Sequence, residues 1–163
     1  MLIRPARHSD SAAIAGIWNL VIRDSVFTFD SVEKTGEEIG RLISEKAGCG
    51  HPFLVVEEAG IVGFATYGQF RPGAGYMQSM ETTIHLLPEV RGRGIGRKLI
   101  GELEQCARRR GVHCLIAGIS GENLDAISFH EAIGYTHAGR IPRVGLKFGR
   151  RFDLVLMQKF TAR

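Results

Sequence analysis

The segment Val90-Arg91-Gly92-Arg93-Gly94-Ile95-Gly96-Arg97-Lys98 constrains this chain more than any other. It stands between a β-type run, Ser79 to Leu87, stopped by Pro88, and an amphipathic helical pattern from about Gly94 to Arg110. Glycines let successive backbone N–H groups turn toward one point, and a helix N-terminus adds partial positive charge there. Arg91, Arg93 and Arg97 add full charges, so the segment is suited to an anion such as pyrophosphate. It is not G-x-x-x-x-G-K-[ST], because Arg97 and Lys98 follow Gly96 where a magnesium-binding hydroxyl would be needed. Nor does it have G-x-G-x-x-G spacing in an N-terminal βαβ unit. A glycine-rich turn with solvated arginines is the plain alternative, and the helix context weighs against it.

The flanking pattern supplies the layers such a loop needs. Leu2 to Pro5 reads as a first strand, and Ser9-Asp10-Ser11 offers N-cap residues to a helix carrying Ile14, Ile17, Trp18, Val21 and Ile22 at three- and four-residue spacing. Trp18 reads as a core anchor of that helix. Ser25 to Asp30 is a loop, in which Phe27 and Phe29 either line a pocket or plug the space between helices. Ile39, Leu42 and Ile43 mark a second helix ending near Gly48. Phe53 to Glu57 and Ile61 to Gln69 form a hairpin about Glu58-Ala59-Gly60, followed by the loop Arg71 to Gly75. Cys114 to Ile119 is a strand, Leu124 to Ile133 a helix closed by Gly134, and Tyr135 to Arg140 and Phe152 to Phe160 the last strands. A meander that ends in strand-helix-strand alternation predicts a mixed α/β (α+β) sheet with helices on both faces, in a single domain over residues 1–163.

Composition then removes whole classes of function. At 163 residues and 44% hydrophobic content, the chain can bury about two-thirds of its unfolded surface around one core. No apolar run approaches the ~20 residues of a membrane span, and Met1 to Pro5 has no signal-peptide core. Cys49, Cys106 and Cys114 are an odd count without paired spacing, which predicts no disulfide framework and a reducing, cytoplasmic setting. Cys106, His113, Cys114 and His130 have no recognised ligand spacing, so no metal is expected. The net charge of +4 permits nucleic-acid binding, but neither basic cluster is interleaved with stacking aromatics, and none is expected.

Arg91-x-x-Gly94-x-Gly96 resembles the R/Q-x-x-G-x-G/A coenzyme A loop of the GCN5-related N-acetyltransferases. The likeness extends to Glu81 on the preceding strand, to Asn123–Tyr135 reading N-x-x-A-x-x-x-H-E-x-x-G-Y, and to Arg140–Arg150 reading R-I-P-R-V-G-L-K-F-G-R. Together these are similar to the phosphinothricin and methionine sulfoximine acetyltransferase branch. The resemblance implies a strongly bent mixed sheet that splays beside the glycine loop, with acetyl-CoA wedged into the gap. It implies that Ile84, His85 and Leu86 hold the pantetheine arm, that Gly92, Arg93, Gly94, Ile95, Gly96 and Arg97 hold the pyrophosphate beside Arg91, and that Asn123 contacts the coenzyme too. It also implies a homodimer with substrate near the interface. Many members of the wider superfamily carry tyrosine where this chain has His130; histidine there is the branch's own pattern and leaves the proton donor open.

Transfer from a thioester to an amine needs a neutral amine and a destination for its proton. Glu81, on an otherwise apolar or β-branched strand, is the candidate base; an outward-facing glutamate on a half-exposed strand is the alternative. His130 is the second catalytic candidate. Arg71 with the loop to Tyr76, and Lys147 among late cations, suit an anionic acceptor, although solvated loop cations are equally common. Phe29 joins them as a candidate for the acceptor pocket. By analogy the acceptor is an amino-acid analogue such as phosphinothricin, methionine sulfoximine or methionine sulfone, acetylated directly without an acetyl-enzyme. The alternatives are another small amine, a protein N-terminus, or a silent coenzyme A-binding module.

Overall fold

The computed structural model describes residues 1–162. Its strands are β1 (Leu2–Pro5), β2 (Phe53–Glu57), β3 (Ile61–Gln69), β4 (Ser79–Leu86), β5 (Cys114–Ser120), β6 (Thr136–Lys147) and β7 (Arg150–Phe160). Its helices are α1 (Ser11–Asp24), α2 (Gly36–Gly48), α3 (Ile95–Arg109) and α4 (Leu124–Ala132). The strands make one mixed sheet in the order β1-β2-β3-β4-β5-β7-β6. Among the described residues only β4 and β5 pair in parallel, across the crossover that α3 supplies, as parallel neighbours require a long connection.

Strand periodicity sorts the core into two layers. Successive side chains point to opposite faces, so Phe53 and Val55 pack with Phe64 under α1 and α2, whereas Leu54 and Val56 pack with Ala65 and Tyr67 under α3. Leu99, Ile100 and Leu103 bring the apolar stripe of α3 onto that second face. Each is almost fully buried, which stabilises the packing by roughly 1.5–3 kcal/mol per side chain. A capping box opens α2: Thr35 Oγ1 accepts the Glu38 N–H at 3.2 Å, and the Glu38 carboxylate accepts the Thr35 N–H at 2.7 Å.

The sequence reading of the last two strands is too short. β6 runs to Lys147 and β7 begins at Arg150, with register shifts between His137 and Gly139 and between Ile141 and Gly145. Gly139, Pro142 and Gly145 break the alternation that marks a strand, and they are tolerated because β6 lies at the sheet edge.

A buried ion pair ties β1 to the start of α1. Arg4 donates to both Asp10 oxygens at 2.8 and 3.0 Å and to Glu57 at 2.7 Å, while Asp10 also accepts the Arg7 N–H at 2.7 Å. The Arg4 guanidinium holds the Asp10 carboxyl below its ordinary range. Its stabilising contribution is therefore complete above the unfolded carboxylate pKa and is lost as pH falls through the lower folded value. Asp10→Ala should destabilise the fold by about 1.5–3 kcal/mol at pH 7, because it removes the charge-assisted bonds from Arg4 and the acceptor of the Arg7 N–H while leaving Glu57 as the guanidinium's remaining acid partner, and urea denaturation would measure the loss.

Candidate active site

The site begins where two strands part. Parallel pairing runs from Ser79–Cys114 to Thr82–Ala117 and stops, although β4 continues to Leu86 and β5 to Ser120. From there β4 stays on β3 through Leu86–Gly63, and β5 stays on β7 through Ser120–Leu154. The edges that face each other across the gap carry Thr83, Ile84, His85 and Leu86 on one side and Gly118 and Ile119 on the other, and all of them line a cavity of about 830 Å³.

The glycine loop closes one end of this cavity. Gly92 and Gly94 have φ of 74° and 77°, left-handed values that a side chain would strain. Among the described residues, the N–H groups from Gly92 to Arg97 have no acceptor within the chain; the α-helical ladder starts with Lys98 N–H to Gly94 at 3.2 Å. Six consecutive free donors at a helix N-terminus form an anion site. Arg91 and Arg97 border it, steadied by the carbonyls of Leu86 (3.2 Å) and Ala132 (3.1 Å). The first turn of α4 faces the same cavity, with Asn123 capping it by accepting the Ala126 N–H at 3.2 Å. Gly96 permits the close approach of α3 to α4, since a Cβ there would sit 3.3 Å from the Phe129 ring.

At the other end stands Glu81. Its Oε1 lies beside Gly118, where an added Cβ would come within 3.0 Å. Partial burial pushes its carboxyl above the ordinary range. His130, only 4% exposed, stacks edge-on with Tyr135 at 5.0 Å, and its Nδ1 lies 2.7 Å from the Ala126 carbonyl. A carbonyl only accepts, so Nδ1 carries the proton and Nε2 is left as a buried acceptor without a partner. Burial lowers the His130 pKa and keeps the ring neutral. His85, between Trp18 at 5.9 Å and Phe64 at 5.4 Å, is pushed down to about 4 by burial and then by the Arg91 charge.

A gap between diverging strands, ended by an anion cradle, takes a long ligand with a phosphate group and an amide-bearing arm. Residues 3–156 match the acetyltransferase (GNAT) domain family.

The chain belongs to the GNAT acetyltransferase family. It is 37% identical to an L-methionine sulfoximine/L-methionine sulfone acetyltransferase of Salmonella typhimurium, over 97% of this chain and 93% of that protein. A Salmonella typhimurium structure solved with its cofactor acetyl-CoA superposes with a TM-score of 0.96 at 34% identity, covering 100% of this chain and 95% of the other. A Sinorhizobium meliloti phosphinothricin acetyltransferase in complex with acetyl-CoA gives 0.92 at 31%, covering 98% and 87%.

Within this GNAT cavity the structure gathers Glu81, Ile84, His85, Leu86, Arg91, Gly92, Gly94, Gly96, Arg97, Asn123 and His130. Other expected residues lie elsewhere. The Arg93 guanidinium pairs with Glu58 at 3.1 Å, so only its N–H faces the cradle, and the Ile95 side chain packs in the core beneath α3. Lys147 does not line the cavity: it is buried, with Nζ donating to the Ile22 carbonyl at 2.5 Å. Phe29 is not there either, because its ring stacks on Phe152 at 6.0 Å; Phe27 of the same loop lines the cavity instead. Arg71 and Tyr76 are exposed outside the cavity wall, Tyr76 against Phe70 at 6.3 Å. Sequence reasoning missed Asp30, Gly118 and Ser128, and it gave Trp18 a purely structural part although its ring also borders the cavity. Among the described residues no group of His, Cys, Asp or Glu is placed to hold a metal.

Gly94→Val should raise the KM for acetyl-CoA at least about tenfold while leaving the fold intact, since a β-branched residue resists the left-handed backbone at a cost of roughly 1–2 kcal/mol and turns the free N–H groups aside. Steady-state kinetics and circular dichroism would check both halves.

Proposed function

We propose that this chain transfers the acetyl group of acetyl-CoA directly to the α-amine of a small amino-acid analogue of the phosphinothricin, methionine sulfoximine or methionine sulfone type. The observation that carries the reading is the meeting, in one cavity, of a helix-capped anion cradle, two unpaired strand edges and the raised carboxyl of Glu81. Residues 1–163 act as one catalytic domain, supported by the single continuous sheet and the span of the family match.

The N–H groups from Gly92 to Arg97, with Arg91, hold the coenzyme's pyrophosphate. The free edge of Ile84, His85 and Leu86 pairs with the amide-bearing arm, and Asn123 at the start of α4 borders it. The α-amine of a free amino acid has a pKa above the value near 8 of a peptide terminus, so it arrives largely protonated at neutral pH, and a protonated amine has no lone pair with which to attack. Glu81 takes that first proton. Forming the N–C bond releases a second, which His130 Nε2 is built to accept, being neutral and unpartnered with Nδ1 committed to Ala126. The imidazolium then returns this proton to the departing sulfur, so the neutral ring acts first as acceptor and only afterwards as donor.

Arg71 stands outside the cavity wall, exposed and without an acid partner among the described residues, and is proposed to reach the acceptor carboxylate from there. It lies three residues beyond Gly68, which pairs with Glu81 across the sheet. Tyr76 stands on the same loop. A homodimer is the expected assembly, and exposed apolar side chains along the edge strand β6, Ile141, Val144 and Leu146, offer a second copy a surface. Three free cysteines accord with a cytoplasmic setting. No helix among the described residues is long and apolar enough to cross a membrane.

Thiol release measured with methionine sulfone, methionine sulfoximine, phosphinothricin, unrelated amines and a peptide N-terminus tests the acceptor class, and preference for the peptide or silence with every amine would overturn it. Glu81→Gln should lower kcat by about 10²–10⁴ with little change in acetyl-CoA binding. In the wild type, kcat/KM should fall as pH drops through the raised Glu81 pKa. That acid limb should vanish in the variant, whose rate should recover partly as pH rises and free amine accumulates.

A further inference from the structure

The acceptor side of the cavity is walled by a segment with no regular structure of its own. Phe27, Thr28 and Asp30 lie between α1 and α2, and all three line the cavity with Glu81. Their local support is limited: the Phe27 N–H donates to Ser25 Oγ at 3.1 Å, the Asp30 N–H to Thr28 Oγ1 at 3.3 Å, and the Asp30 carboxylate accepts from Lys34 Nζ at 3.1 Å on the solvent side. Farther along, the Asn19 side chain fixes the backbone of Lys34 from both sides, donating to its carbonyl at 2.8 Å and accepting its N–H at 2.7 Å. The Asp30–Lys34 pair ties the segment to itself, and what holds it against the rest of the fold comes from the hairpin of β6 and β7.

Three contacts do this. Lys147 Nζ donates to the Ile22 carbonyl, one of the last-turn carbonyls of α1 that lack a partner within the helix. The Phe29 ring stacks on Phe152 and fills the space over Gly145, where any Cβ would overlap it. Arg150 lies over Phe152 at 4.9 Å and is itself tied to Glu122 at 2.8 Å, next to the cap of α4. None of Phe29, Gly145, Lys147 or Phe152 touches the cavity.

We propose that Lys147, Gly145 and Phe29 form a clamp that determines acceptor specificity, by fixing the depth at which Phe27, Thr28 and Asp30 stand in the cavity wall. The reading rests on the acceptor reaction proposed above. These are positioning residues: the hairpin acts on the acceptor through the loop, and the coenzyme end is built from other elements. A lysine with a carbonyl as its partner, rather than a carboxylate, suits this use, because the three-donor ammonium caps the negative end of α1 and pins it to a strand 125 residues away.

The test uses Gly145→Ala, which displaces the Phe29 ring, and Lys147→Met, which keeps the length of the side chain and removes the donor. Hydrogen exchange without substrates should quicken across residues 25–30 and stay unchanged across 84–86 and 92–97. The KM for the acceptor should rise about tenfold while that for acetyl-CoA moves less than about twofold, and the order of preference between short and long acceptors should change. Unchanged exchange in the loop of a folded variant would overturn the clamp. So would equal increases in both KM values, which mean general softening of the fold. If the wild type acetylates no amino-acid analogue, the acceptor reading fails, and the exchange measurement still decides whether the clamp exists.

Discussion

Beyond Thr82 and Ala117, β4 and β5 lose each other while each keeps its outer neighbour, β3 for one and β7 for the other. A buried backbone donor or acceptor without a partner costs about 1–3 kcal/mol, so an opening in the middle of a sheet persists only where the rest of the sheet enforces it. Here the enforcement comes from both flanks. Seven consecutive pairs hold β5 to β7, and seven hold β4 to β3. The gap is thus a stable break in the pairing, with strand edges ready to bond an extended ligand. The crossover that must join two parallel strands begins beside that gap, which puts the N-terminus of α3 at its mouth.

The same burial that shapes the cavity tunes its proton chemistry. Desolvation penalises whichever form is charged, so it raises the carboxyl of Glu81 and lowers the imidazoles of His85 and His130. An acid and a base moved toward each other in pKa differ less in proton affinity than the free side chains do. The cations that border the cavity, Arg91 and Arg97, are confined to the glycine-loop end, where the phosphate charge is needed. A guanidinium beside Glu81 would lower its pKa and weaken it as a base. If Glu81 is the base proposed above, the separation of charge along one cavity is also a division of labour between binding and proton transfer.

Much of the fold was legible because its signals are local. The boundaries of β2 and β3 follow from two β-type runs about a turn, and the break at Pro88 places the end of β4 within one residue. The cradle was legible for a deeper reason: it works through the backbone of consecutive residues, so glycine spacing and the helix that follows carry the whole message. β6 was half lost because a glycine and a proline interrupt its alternation, and only its place at the sheet edge explains why they are allowed. Lys147 and Phe29 were misplaced because residue type says what a side chain can bind but not which way it points. A cation near an anionic substrate and a cation capping a helix 125 residues earlier in the chain look the same in sequence.

The two halves of the site therefore stand under different constraints. Any substitution at Gly92 or Gly94 meets the left-handed backbone directly, and no neighbour can compensate, since the space around both is open and the strain lies in the chain itself. The proposed acceptor wall rests instead on side chains packed between distant elements: Phe29 on Phe152, Gly145 under Phe29, Lys147 under the end of α1. Packed contacts can change together, a smaller ring answered by a larger residue opposite it, with the total volume kept. On the proposed reading, this chain holds its donor by backbone geometry and its acceptor by a packing arrangement with more than one solution, so the acceptor end can change by substitution while the donor end stays fixed.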